Sequence, residues 1–397
     1  MASKNDNNAE SGRNLADHDN NIQTSSSADE DRYIYLIEFS HKHLDFQMAE
    51  LIAVLEMYGI VRESCEEETI RNATKPDTAK PLTTFRVLPL PNEERYQQET
   101  KAAPRRAFAL LSFSAEWYQQ KQQLSTPAIA TIFSRCILVR RVLELWGMPG
   151  TTLEQCARKT IQWVKQSSLG KSIYNANTGN DQSWKITIQT LGAKYTREEQ
   201  NEMRSHFAGL DFPGKVQMKE PTHEFLLIRE MELDMLGSPL YPRHGHMGKG
   251  QLIPEHDRRP PLACYFGRII ATRPRNLEQY DLKRRIYLGP TSMDAELSFI
   301  MSNLGHVQKS SIVLDPFVGT GSILVSCAQR GAYCVGTDID IRVIRGRNTE
   351  ENVYSNFRQF GLPRPELIRS DNAIYHRHFR PNAEPWVDCI VTDPPYG

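Results

Sequence analysis

Apolar positions begin to recur at Tyr33, where "YIYLIEFS" has the density and β-branched or aromatic content of a strand. In the following "LDFQMAELIAVLEMYG", Phe46, Ala49, Ile52, Leu55 and Tyr58 recur at helical spacing and predict one apolar helix face. "FRVLPL", "RAFALLSFS" and "RCILVRRVLELWG" read as further strands, interrupted by a Pro/Lys/Thr-rich loop around residues 74–83. Together they predict a small α+β domain of ferredoxin-like type over residues 32–147. A second unit, residues 148–236, opens with the amphipathic helix "TLEQCARKTIQWVKQ" and the strand "SWKITIQTLG". Thr196 and Glu199 stand at capping-box spacing before the next helix, and the Pro213-Gly214 pair marks its exit. "KVQMK" and "HEFLLIR" then make two short strands. Residues 237–261 form a Pro/Gly/His-rich connector, and a third unit is expected from Leu262.

The third unit alternates strand and helix. "SIVLDPFVGTGSILVSCAQRG" is an apolar strand ending in Asp315, a turn carrying Gly319 and Gly321, and an apolar helix start. Glycines there let a ligand approach the backbone, and a helix N-terminus favours negative charge. The turn lacks Gly-Lys-Ser/Thr and the G-x-G-x-x-G spacing, so it matches neither nucleotide fingerprint. "AYCVGTDID" delivers Asp338 at the tip of a second strand, where an acid accepts hydrogen bonds from ribose hydroxyls. "ELIRSDNA" sets Asp371 at a third tip as an acceptor for an adenine amine, and "VDCIVTDPPYG" supplies a fourth strand. Strands that each end in a polar residue predict a doubly wound α/β sheet with its ligand above the strand ends.

Charge and composition narrow the classes. The 397 residues have zero formal net charge, unevenly spread. Residues 1–31 carry seven acids against Lys4 and Arg13 and almost no large apolar side chains, which predicts a disordered acidic tail. Residues 241–285 carry a net +6, suited either to a phosphate backbone or to a solvated linker. The longest apolar runs fall far short of the roughly 20 residues a membrane span needs, so no membrane association is expected. Neither a secretory nor a clear mitochondrial leader is evident, which leaves the cytosol or nucleus as the default, with the cytoplasm as the expected compartment. Seven scattered cysteines with no C-x-x-C pair read as reduced core thiols. His244, His246 and His256 lack Cys or Glu at ligand spacing, and no metal is expected.

With "DPFVGTG", the acid Asp338 and "DPPY" in hand, the chain resembles the adenosylmethionine-dependent amino-methyltransferases. Adding "YFGRII", "KRRIYLGPTSMDAELSFIM", "GTDID", "TDPPYG", "LELWG" and "GKVQMKEPTHEFLLI" sharpens this to the eukaryotic tRNA guanine(10)-N2-methyltransferase catalytic subunits, with a THUMP-like RNA-binding domain over 148–236. That resemblance implies S-adenosyl-L-methionine as cofactor, a Rossmann-like class I methyltransferase domain over 262–397, and methylation of the exocyclic N2 amine of guanosine 10 in tRNA. It assigns Asp315, Phe317, Gly319, Gly321, Asp338 and Asp371 to the cofactor, with Thr291 or Ser292 at its methionine end. It assigns Asp393, Pro394, Pro395 and Tyr396 to catalysis, the first two as amine acceptors and Tyr396 as a stacking platform. It also implies a small zinc-binding activator subunit as partner. The family's fold has seven strands, of which about four fit here, so the chain is expected to stop after its "DPPY" motif. Two other readings stay open: a catalytically inactive RNA- or partner-binding form, and another amino-methyltransferase acting on DNA or protein glutamine.

Overall fold

The computed structural model describes residues 32–63, 83–93, 106–113, 126–191, 195–231, 261–273, 275–290, 292–377 and 385–395. The expected acidic tail, the loop around 74–83 up to residue 82 and nearly all of the 237–261 connector, including its three histidines, lie outside the described residues.

Nine strands form one sheet: β1 (Tyr33–Phe39), β2 (Ile60–Arg62), β3 (Thr83–Leu88), β4 (Phe108–Phe113), β5 (Val139–Leu145), β6 (Ser183–Leu191), β7 (Lys215–Val216), β8 (His223–Glu230) and β9 (Ala263–Thr272). Their spatial order is β2-β3-β4-β1-β5-β9-β8-β6-β7. The strand residues alternate between two apolar layers, as the period of two requires. Phe225 and Leu227 of β8 join the larger core with Trp146, while Leu226 and Ile228 join a smaller one with Leu36, Leu143 and Tyr265. Helices α1 (Gln47–Met57), α2 (Thr126–Arg135), α3 (Leu153–Gln166), α4 (Ser168–Asn177) and α5 (Arg197–Ser205) accompany this sheet. At the start of α5, Thr196 and Glu199 make the expected capping box, with Oε2 of Glu199 2.6 Å from the Thr196 nitrogen.

Three features depart from the sequence reading. The segment after Leu262, expected to open the third unit, instead forms a strand that bridges the first two: β9 pairs antiparallel with both β5 and β8. Its first six residues are all buried, so both of its edges need partners, and the strands upstream supply them. The expected divisions at 147 and 262 therefore fall within one continuous sheet. Second, the apolar face read for α1 is only partly right. Leu55 is buried and Ile52 half-buried against the core, but Phe46, Ala49 and Tyr58 are exposed, and the buried side is Gln47, Glu50, Leu51, Ala53, Val54 and Leu55. Glu50 is held there because its carboxylate has partners, accepting from the backbone N–H groups of Ile137 and Leu138 at 2.7 and 2.9 Å. Third, among its described residues the basic stretch ending at 285 is no continuous charged surface. Arg268 is buried against Glu144 at 2.9 Å, Arg273 pairs with Glu296 at 2.6 Å, and Arg285 is buried, while Lys283 and Arg284 stay exposed.

The second sheet is parallel throughout: β10 (Ile312–Asp315), β11 (Tyr333–Asp338), β12 (Glu366–Arg369) and β13 (Cys389–Ile390), in the order β12-β11-β10-β13. This is the 3-2-1-4 arrangement of a doubly wound sheet, with its switch point between β10 and β13. Helix α6 (Ala295–Leu304) precedes it, α7 (Ser322–Gln329) links β10 to β11, and α8 (Ile341–Arg345) and α9 (Val353–Gln359) link β11 to β12. The two sheets meet where α1 packs against α6. No helix among the described residues is long and apolar enough to cross a membrane.

Candidate active site

Everything at the carboxyl ends of β10, β11 and β13 is tied to the turn after β10. Its backbone reverses through two left-handed glycines, Gly319 at φ 51° and Gly321 at φ 80°. They differ in surroundings. A Cβ on Gly321 would lie 2.7 Å from Cγ1 of Val353, whereas a Cβ on Gly319 would meet nothing closer than the Phe317 carbonyl at 4.0 Å. Gly321 is a packing requirement, and Gly319 faces open space at the strand tips.

The turn is folded onto the tip of β11. Val318 donates its N–H to the Thr337 carbonyl at 2.8 Å, and Gly319 donates to Oδ2 of Asp338 at 3.0 Å. The other oxygen of Asp338 accepts from the N–H of Asp340 at 2.8 Å. Both oxygens are thereby oriented while the half-buried carboxylate keeps lone pairs for an outside donor. Phe317 and Ile339, 38% and 60% exposed, provide apolar surface beside it.

A second tie joins this turn to the strand carrying Asp-Pro-Pro. Asp315 is 1% exposed, and its Oδ1 accepts from the Phe317 N–H at 3.1 Å and from Oγ1 of Thr392 at 2.6 Å. The N–H of Val391 donates to the Leu314 carbonyl at 3.1 Å. The Thr392 contact fixes the exit of β13 immediately before Asp393. Burial pushes the Asp315 carboxyl up to about 6; the Thr392 and Phe317 hydrogen bonds oppose this, and the nearby Asp338 and Asp393 carboxylates add to it. Asp393 is half-buried, and Pro394 and Pro395 are exposed. Tyr396 lies outside the described residues, as does Thr291.

A third side is formed by the segment before α6. Oγ of Ser292 accepts from the N–H of Gly289 at 3.0 Å and shares a hydrogen bond with Oγ1 of Thr320 at 2.8 Å. Asn356 of α9 locks this segment down. Its Oδ1 accepts from the Tyr287 N–H at 2.9 Å, and its Nδ2 donates to the Tyr287 carbonyl at 2.8 Å and the Thr320 carbonyl at 3.3 Å. Asp371, two residues past the end of β12, is half-buried, with Oδ1 accepting from the Ala373 N–H at 2.9 Å. Its neighbour Asn372 donates from Nδ2 to the Pro316 carbonyl.

Asp315, Phe317, Gly319, Gly321, Asp338, Ser292 and Asp393 thus converge on one end of the parallel sheet, and Asp371 stands at the adjoining strand tip. Thr320, Asn356, Asn372 and Thr392 were not singled out from the sequence. Asn372 and Thr392 sit beside motif residues, which was the available signal; nothing local marks Asn356, which lies within a helix. The residues present fit an adenosylmethionine. There is an oriented carboxylate for ribose hydroxyls, apolar surface beside it, and glycine backbone with open space above.

A parallel 3-2-1-4 sheet with a glycine turn after its first strand and Asp-Pro-Pro after its fourth defines a Rossmann-like methyltransferase unit. Family models agree: one described as "RMKL-like, methyltransferase domain" matches residues 283–397, and "Tmrp11 THUMP N-terminal domain" matches residues 111–252. The latter match runs across residue 147, as the continuous first sheet does. Curated relatives are tRNA (guanine(10)-N(2))-methyltransferases: TRMT11 of Bos taurus is 30% identical over 91% of this chain, TRMT11 of Homo sapiens 29% over 91%, and the Saccharomyces cerevisiae enzyme 34% over 66%. The chain is thus similar to these enzymes over most of its length and carries a THUMP N-terminal match and a methyltransferase-domain match of its own. It spans 66%, 65% and 55% of the lengths of those three relatives.

Proposed function

We propose that the chain is the catalytic subunit of an S-adenosyl-L-methionine-dependent methyltransferase that modifies the exocyclic N2 amine of guanosine 10 in tRNA. The observation that carries this reading is the 2.6 Å hydrogen bond between Thr392 and Asp315, which couples the cofactor turn to the Asp393-Pro394-Pro395 segment on the adjacent strand.

The bound cofactor supplies an electrophilic methyl group on a sulfonium. An exocyclic guanine amine is a weak nucleophile because its lone pair is delocalised into the ring. Asp393 and the Pro394 carbonyl accept its two N–H groups, which localises that lone pair and stabilises the positive charge that develops on nitrogen. The Asp393 carboxylate also stands as acceptor for the proton lost after transfer. Two successive prolines remove backbone donors and stiffen the segment, so that acceptors face the amine. Tyr396 stacks on a base swung out of its helix. Asp338 holds the ribose hydroxyls, Asp371 the adenine amine, and Ser292 with Thr291 the methionine end. Asp315, through Thr392, positions the catalytic segment.

The nine-stranded sheet, comprising the α+β part over 32–147 and the THUMP-like part over 148–236, serves as the RNA-holding platform, with residues 262–397 contributing its last strand and the methyltransferase unit. A small zinc-binding activator subunit completes the enzyme, which works in the cytoplasm. A reducing compartment is supported by Cys136, Cys156, Cys264, Cys327 and Cys334, all buried and free. The test is to incubate the chain and its activator with methyl-labelled cofactor and undermodified tRNA, then identify the labelled nucleoside by mass spectrometry. N2-methylguanosine is expected, and its loss on Asp393→Ala. Label on adenine, or none on guanine, overturns the reading.

A further inference from the structure

Arg285 is the least explained charge near the site. It is 7% exposed, and among the described residues it makes no ion pair. Its Nη1 donates to Oγ of Ser322 at 2.6 Å, while its Nε is buried with no hydrogen-bond partner. Burial pulls the guanidinium down to about 10, against a weaker upward pull from the more distant Asp294 carboxylate, so it is still charged at neutral pH. A buried, charged donor left unpaired is unfavourable, and an anion would relieve it.

Its position gives the reason. Ser322 is the first residue of α7, directly after Gly321, so Arg285 reaches the helix end whose unpaired N–H groups already favour an anion. Two positive features converge there, beside the Ser292–Thr320 hydroxyl pair and next to the glycine turn. A guanidinium matches a carboxylate in shape and charge. We propose that Arg285 and the first turn of α7 bind the α-carboxylate of the methionine end of the methyl donor. This rests on the methyl-donor reading above and adds a cation at the methionine end, where that reading names only hydroxyls.

The experiment is calorimetric titration of the full chain with S-adenosylhomocysteine and with 5′-methylthioadenosine, which keeps the nucleoside and thioether but has no carboxylate. The wild-type chain should prefer S-adenosylhomocysteine by roughly 10- to 100-fold, the range expected of a hydrogen bond to a charged group. Arg285→Met should erase most of that preference while changing methylthioadenosine affinity less than about twofold, and Arg285→Lys should recover part of it, on the same scale. Equal wild-type affinities for the two compounds overturn the proposal without any variant being needed. Equal losses of both in Arg285→Met, or an unchanged preference, also overturn it and leave Arg285 a structural residue. If the wild-type chain binds neither compound, the methyl-donor reading itself fails, and the proposal with it.

Discussion

Asn303 donates from Nδ2 to Oε1 of Glu50 at 2.7 Å, joining α6 of the methyltransferase unit to α1 of the large sheet across 253 positions of sequence. Both residues are 0% exposed. Oδ1 of Asn303 accepts from Nε of Arg135 at 3.0 Å, and Arg330 donates from Nη2 to the Arg135 carbonyl at 3.0 Å. The junction between the two units is therefore a buried polar network, in which the Nε of Arg330 has no hydrogen-bond partner and removing one member strands several others.

Glu50→Ala leaves two backbone N–H groups and the Asn303 amide without their acceptor. It should destabilise the chain by about 3–5 kcal/mol in urea denaturation, the range for breaking a buried charged network. Asn303→Ala should cost less, about 1–3 kcal/mol. The double variant should fall well short of the sum, because both changes remove the same contact.

The two glycines of the cofactor turn should respond differently to a methyl group. Gly319→Ala meets no neighbour and pays only for left-handed backbone, about 1–2 kcal/mol. Gly321→Ala pays that and collides with Val353, so it should be the more destabilised of the two by thermal melting. Among chains that remain folded, Gly319→Ala should still weaken S-adenosylhomocysteine binding, because its new methyl occupies the open side of the turn.

Asp315 predicts a pH dependence of known sign. Its carboxyl is raised from the usual 3.8 to about 6, so the folded chain favours the protonated form. Its contribution to stability is fully present below about pH 4 and is lost as pH rises through about 6. Asp315→Asn keeps an acceptor for Thr392 and Phe317 without the charge. Relative to wild type it should gain stability between pH 4 and 6, by up to about 3 kcal/mol, and then level off. Urea denaturation at stepped pH checks this, and a difference independent of pH contradicts it. Glu50, also raised by burial, tilts the background in the same direction in both proteins, so the comparison between them isolates Asp315.

How much of this was legible in the sequence varied with the distance over which each residue finds its partners. That Asp315, Gly319 and Asp338 would stand at strand tips and in the turn between them was readable because strand, turn and strand tip are local features with fixed offsets. The capping box at Thr196 and Glu199 was readable for the same reason, whereas Asp393 was singled out by the family resemblance. The face of α1 was readable only in part, since a polar residue at a helical position reads as solvent-facing, and Glu50 is buried only because residues 137, 138 and 303 reach it. β9 was assigned to the unit that follows it, because its pairing with strands far upstream leaves no mark in its own alternation. Arg285 looked like one cation in a basic run; its burial depends on α7 and the segments packed around it.

The central claim is that the exocyclic amine of guanosine accepts the methyl group, and one substitution in the substrate tests it most directly. A tRNA carrying inosine in place of guanosine at position 10 keeps the same base framework but has no N2 amine. With the chain, the proposed activator and labelled cofactor, the guanosine tRNA should take up one methyl group and the inosine tRNA none. Equal labelling of the two would contradict the account.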